Sequence, residues 1–400
     1  MSQESLPGAR RLRVVVPMVG RDPEEDHRSS TPLELFFDLV FVVAVAFAAE
    51  GLHHGLLDGD VADAVLGYAL AFFAIWWAWV NFTWFASAYD TDDVFYRIFV
   101  FVTMTGALIL AAGVPQIFEA RDFKVATLGY VVMRIALVTQ WLRAAAADTS
   151  RRSTARRYAW GVTACQVGWI SALTLPAGWW PFAWGLLVPA ELLVPAWAEA
   201  ASHTTWHRSH ISERYGLFMI IVLGESVLAA SLAIRSAING AELTSEVLAI
   251  IGGGLLILFS LWWIYFDRPE DHLLSSERGV FAWSYLHSLV FSSAAAVGAG
   301  LVVSVEAAVG HGELGPAGTG AAISLPVVVF TLSLWALYVR ALDTPLHKFG
   351  IPTTAVLVLL ASFTSIPVLL VGLLLSGLLV VKGRSRMQTQ AHTPEPKFYE

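Results

Sequence analysis

The chain has 400 residues, 56% of them hydrophobic and 14% charged, with a formal net charge of -7 and a mean hydropathy of +0.62. Soluble globular chains are about a quarter charged, so composition excludes an ordinary soluble domain, and the lack of a basic patch interleaved with aromatics excludes nucleic-acid binding. The single cysteine, Cys165, rules out an intrachain disulfide framework and any cysteine-based metal site.

Taken in order, the first thirty residues are polar and Arg-bearing, and their one apolar run, Val14 to Val19, is too short for a signal-peptide core. Twelve apolar segments follow, at 33–52, 62–86, 95–117, 124–143, 157–176, 180–198, 214–235, 246–266, 280–305, 321–341, 350–366 and 368–382. Lipid offers the backbone no hydrogen-bond partners, so all are expected to be α-helices of a polytopic membrane protein in contact with the bilayer. The last two could also form one helix kinked at Pro367. With the N-terminus inside, Arg10, Arg11, Arg13, Arg143, Arg151, Arg152, Arg156, Arg157, Lys382, Arg384 and Arg386 fall on the cytoplasmic side, against Arg121, Lys124 and Arg235 outside. This obeys the positive-inside rule and puts both termini in the cytoplasm.

An internal repeat is also legible. FFAIWWAWVNF (72–82) aligns with LFSLWWIYFDR (258–268), and nearly the same offset brings Asp38 onto Glu225 and Glu119 onto Glu306; with looser offsets Arg143 meets Arg340. The expected organisation is a tail over 1–30, a six-helix repeat over 31–200, a second over 201–382, and a tail over 383–400. Six is even, so the repeats would run parallel.

The polar residues inside apolar segments are the candidate site. In the first segment Glu34 and Asp38 are four apart and share a helix face. Glu225 lies about a dozen residues into ERYGLFMIIVLGES (213–226), near mid-membrane, where a charge costs several kcal/mol and faces a bundle interior or a cavity. Asp38 and Glu225 are therefore expected to line one polar core, with Arg134, Arg97 and Arg214 as possible partners that would otherwise make the acids purely structural. Glu191, between Pro189 and Pro195, could line a cavity opened by freed carbonyls, and His287 reads first as a packed histidine. Asn81 and Asp267 are expected to end matching helices. His203, His207 and His210, with Glu213 after them, would share a face if helical and are weak metal candidates, but solvation of a helix end explains them as well. The tryptophans read as an interfacial belt or, at Trp76, Trp77, Trp262 and Trp263, as cavity walls. Gly252-Gly253-Gly254 most simply permits close helix packing. No nucleotide or nucleophile motif is present, and no cofactor is implied.

Two stretches, TPLELFFDLVFVVAVAF and HISERYGLFMIIVLGES, resemble the signature segments of the bacterial low temperature requirement A (LtrA) family. The resemblance implies a multi-pass bacterial inner-membrane protein, with a family name taken from growth in the cold, and carries over Glu34, Phe37 and Asp38, then His210, Glu213, Arg214, Gly224 and Glu225. LELFFDLVF is also faintly similar to the first-helix motif of a potassium-channel family, but Phe37 stands where that family has serine. The leading expectation is a transporter or channel for a small solute or ion, proton-coupled through Asp38 and Glu225. The alternatives are a membrane enzyme acting on a lipid or isoprenoid by acid-initiated chemistry, and a stress-response scaffold. Nothing in the sequence requires a homo-oligomer, and nothing excludes one.

Overall fold

The computed structural model describes residues 13–25, 28–240, 244–267, 277–338 and 346–391; Arg10, Arg11, Arg340 and the last nine residues of the C-terminal tail lie outside them. The described chain is all-helical and contains no strand. Its α-helices are α1 Pro32–Leu57, α2 Val61–Tyr89, α3 Val94–Ala120, α4 Lys124–Ala147, α5 Arg152–Ala172, α6 Trp180–Glu199, α7 Arg208–Gly240, α8 Ser245–Phe266, α9 Glu277–Ala308, α10 Pro316–Tyr338, α11 Ile351–Ala361 and α12 Pro367–Ala391. Among the described residues ten are long and apolar enough to cross a membrane, which makes this a polytopic membrane protein. The other two are α5, whose first turns hold Arg152, Arg156 and Arg157, and α11, whose 11 residues rise only about 16 Å at 1.5 Å each. A turn between Ala361 and Pro367 separates α11 from α12, so the two are not one kinked helix.

The chain forms two compact units: residues 1–44, 75–116 and 122–214, and residues 45–74, 117–121 and 215–400. In the first, α3 and α4 approach with almost no side chain between them. A Cβ on Gly106 would lie 2.7 Å from the Gly129 carbonyl oxygen, and one on Gly129 would lie 2.5 Å from the Leu110 nitrogen. Trp141 of α4 stacks on Tyr158 of α5 at 4.1 Å, while Gly161 and Gly168 of α5 face Val194 and Leu187 of α6, which fixes an antiparallel register. Large apolar side chains such as Phe182, Leu186 and Trp197 of α6 point outward, as a lipid-facing surface requires.

The second unit packs α8 on α12 and α9 on α10. Trp262 and Trp263 are on its surface, whereas Trp76 and Trp77 are buried in the first unit, so the aligned pairs occupy unlike environments. Asp267 ends α8 and pairs with Lys382, but Asn81 lies inside α2 and donates to the Trp77 carbonyl at 2.7 Å instead of ending a helix. In the glycine triplet only Gly253 meets another backbone: its Cβ would lie 2.5 Å from the Val368 carbonyl oxygen, while a Cβ on Gly252 meets open space. Gly253→Val is therefore expected to destabilise the α8–α12 pair by about 1–3 kcal/mol or more through overpacking, with Gly252→Val close to neutral. Thermal unfolding in detergent checks this, and equal effects would refute the assignment.

Candidate functional site

The site begins at the start of α1. Thr31-Pro-Leu-Glu34 forms a reciprocal capping box: the Glu34 amide donates to Thr31 Oγ1 at 3.2 Å, and the Thr31 amide donates to Glu34 Oε2 at 2.9 Å. Pro32 follows the cap, where a missing N–H is harmless. The box leaves Glu34 Oε1 directed at α7, and one turn further Asp38 faces the same way.

Arg214 of α7 answers both acids. Its Nη1 donates to Glu34 Oε1 at 3.0 Å, its Nη2 to Asp38 Oδ1 at 2.5 Å and its Nε to Asp38 Oδ2 at 3.1 Å. The contact with Asp38 is a two-point fork, the strongest geometry available to a guanidinium. One turn earlier on α7, His210 Nε2 lies 3.1 Å from Glu34 Oε1, and the Trp79 indole donates to Asp38 Oδ1 at 2.7 Å. Glu34 is 1% exposed, and Asp38, His210 and Arg214 are 0% exposed. Phe37 packs on Phe41 and Phe82 and places its ring 6.0 Å from the Arg214 guanidinium carbon, which keeps water away. His210 Nδ1 is buried and has no hydrogen-bond partner among the described residues.

The other sequence candidates fall elsewhere. Arg134 pairs with Glu191 at 3.2 Å, both buried, and the Trp77 indole donates to the same Glu191 oxygen at 2.8 Å. Arg97 pairs with Asp92, so neither arginine reaches Glu34 or Asp38. Glu213 accepts the Ser30 amide at 3.1 Å. Glu225 belongs to the second unit, where it is half-buried, and among the described residues it forms no ion pair. A Cβ on Gly224 would meet open space, so packing does not explain that glycine. His287 is buried with its Nδ1 2.7 Å from the Trp283 carbonyl, inside a ring of Tyr215, Tyr265, Trp283 and Phe291.

The three candidate metal ligands separate. Helix α7 starts at Arg208, so His203 and His207 precede it and share no helix face with His210. The 203–207 stretch lies outside any helix, with Glu199 accepting from Thr204 and the His207 amide donating to Ser87. His203 lies near Glu199, His207 Nε2 lies 2.8 Å from the Glu25 carbonyl, and His210 goes to Glu34. Among the described residues no three His, Cys, Asp or Glu side chains converge to hold a metal.

The sequence reading missed what surrounds the cluster. Residues 13–25 strap across the ends of α2–α5: Asp93 accepts the Val16 amide at 2.8 Å and pairs with Arg143, while Asp148 accepts the Gly20 amide at 3.2 Å and pairs with Arg151. Arg28 donates to the carbonyls of Ala86 and Ser87 at the end of α2. Burial pushes the Asp93 carboxyl up, but hydrogen bonds from Arg143, Tyr96 and Val16 outweigh it and hold the group below its ordinary value. Asp90 differs: burial, followed by the nearby negative charge of Glu34, pushes it up to about 6 against the pull of Arg28.

Two outcomes are expected. Arg214→Leu leaves two carboxylates buried without a cation and should cost about 3–5 kcal/mol, whereas adding Glu34→Gln and Asp38→Asn should return most of that stability; a triple variant no better than the single would refute a charge-based role. For Asp90 the folded protein binds the proton more tightly than the unfolded chain. Its ionisation therefore costs stability as pH rises from about 4 through about 6. Asp90→Asn should raise the melting temperature at pH 7.5 and lose that advantage at pH 4; a gain of the same size at both values would show that ionisation is not the cause.

The Rhizobium meliloti (strain 1021) protein RA0937 is 26% identical over 371 residues, covering 87% of this chain and 85% of that protein. The UbiA prenyltransferase claS of Ampulloclitocybe clavipes is 30% identical over 95 residues, 24% of this chain and 27% of that protein. Residues 29–382 match the family described as bacterial low temperature requirement A protein (LtrA), a span that starts beside Arg28 and takes in every residue of the Glu34–Asp38–His210–Arg214 cluster. The chain belongs to the bacterial low temperature requirement A (LtrA) family.

Proposed function

We propose that this LtrA-family protein is a membrane transporter or channel for a small solute or ion, coupled to proton movement at its buried carboxylates. One observation carries the reading: Glu34 and Asp38 face a single permanent cation, Arg214, in a core closed to water, with His210 against Glu34. Within the directly ion-paired groups, two carboxylates and one guanidinium leave one negative charge over, with Arg28 and Asp90 as the next charges beyond them, and an uncompensated charge is expensive in a dry helix bundle. A proton on His210 or on one acid cancels it. The cluster is thus a place where a proton is held by need of charge balance and exchanged when that balance changes, as a coupled carrier requires. Glu225, a half-buried acid of the apolar helix α7, is proposed as a further carboxylate that exchanges a proton, and the Lys and Arg distribution supports an inner-membrane orientation with both termini in the cytoplasm.

A second reading has one specific support. The local likeness to a protein named a UbiA prenyltransferase favours an enzyme acting on a lipid or isoprenoid substrate. Flux in proteoliposomes separates the two. A pH gradient imposed on vesicles holding the purified protein should drive movement of potassium, sodium or protons, and His210→Gln, Asp38→Asn and Glu225→Gln, each still folded, should abolish it. No flux from wild type, together with altered isoprenoid lipids in cells lacking the protein, would replace the transport reading with the enzymatic one.

A further inference from the structure

The Arg134–Glu191 pair carries more than an ion pair needs. In the first unit, Val138 of α4, Val162 and Cys165 of α5, and Val194 of α6 form one apolar layer. Arg134 stands four residues before Val138, Gln166 four after Val162, and Glu191 three before Val194. Since α5 runs antiparallel to both neighbours, these steps lead in one direction and share the faces of the apolar layer. The three polar side chains therefore form the next layer, about one helical turn or 5 Å away.

All three are at least nine-tenths buried. The Trp77 indole and one Arg134 nitrogen satisfy Glu191 Oε2, and the Tyr130 ring lies 5.1 Å from the guanidinium carbon. Yet Arg134 Nε, Glu191 Oε1 and both amide atoms of Gln166 have no hydrogen-bond partner among the described residues. That leaves two donor and two acceptor atoms at one level of a three-helix cluster, and buried polar groups in folded proteins are as a rule paired, with protein or with an ordered small molecule. The ion pair is neutral as a whole, so the layer does not ask for a charged ligand.

We propose that the Arg134–Gln166–Glu191 layer is a binding site for a small uncharged hydroxylic ligand, of which water is the smallest. Such a molecule both donates and accepts, and can bridge Glu191 Oε1 to the Gln166 amide and Gln166 to Arg134 Nε. The site is distinct from the Glu34–Asp38 cluster, and the inference holds whether or not the protein moves a solute.

Cys165, the chain's single cysteine, lies beside Gln166 on the border of this layer and reports on it without an introduced label. Thiol modification needs thiolate and access, both of which a dry apolar layer denies. The full-length protein in detergent would be treated with 2-hydroxyethyl methanethiosulfonate, a small neutral hydroxylic reagent, and the rate at Cys165 followed by mass spectrometry. Modification of the folded protein is expected, slowed about tenfold in Gln166→Leu, which removes the bridging amide and fills its space. Gln166→Leu should also lower the melting temperature, because a satisfied amide is lost. An inert Cys165 in the folded protein that reacts on denaturation, with Gln166→Leu raising the melting temperature, would overturn the proposal, since deleting an amide that bonds to nothing stabilises. If Gln166→Leu does not fold, Gln166→Met supports the same comparison.

Discussion

The structure depends on the expense of ionised groups in a medium with no water to solvate them. Arg214 is the compensation. Its three donor nitrogens reach Glu34 and Asp38, on successive turns of α1, so the start of α7 and the start of α1 cannot part without stranding charge. The neighbours follow from the same constraint. Trp79 supplies a further donor to Asp38, Phe37 seals the guanidinium, and Arg28 closes the carbonyl end of α2.

A second solution to the same problem lies on α4 and α6, where Arg134 and Glu191 pair beneath Trp77. The two differ in balance. The first gathers two acids around one permanent cation, and the second matches one to one. The strap of residues 13–25 adds a third kind of electrostatics at the helix ends, where Asp93 and Asp148 stay ionised because backbone amides and arginines converge on them.

Much of this was legible in the sequence. Long apolar runs force helices, so the spans and the all-helical class followed from composition, and the four-residue spacing of Glu34 and Asp38 placed both on one face. Arg214 was a possible partner because it opens the second motif. The pairing of Arg134 with Glu191 was not legible, since spacing within a helix says nothing about which neighbouring helix a side chain meets. Asn81 was misplaced for a related reason: α2 runs eight residues past it to Tyr89, and its side chain turns back to the Trp77 carbonyl of the same helix. The histidines 203 and 207 looked helical in spacing, but that stretch precedes α7, and side-chain bonds from Glu199 and Ser87 tie it down outside any helix. The strap could not be seen at all, since its contacts are backbone amides meeting distant carboxylates.

Glu34 divides its two oxygens between different tasks. Oε1 faces Arg214 and His210, while Oε2, itself 3.3 Å from His210 Nε2, accepts from the Thr31 amide and hydroxyl at the first turn of α1. The same carboxylate thus belongs at once to the ion cluster and to the first turn of α1. Whatever draws Glu34 away from Arg214 also loosens the polypeptide where it enters the helix, so the electrostatics of the core and the anchoring of the chain are one fastening.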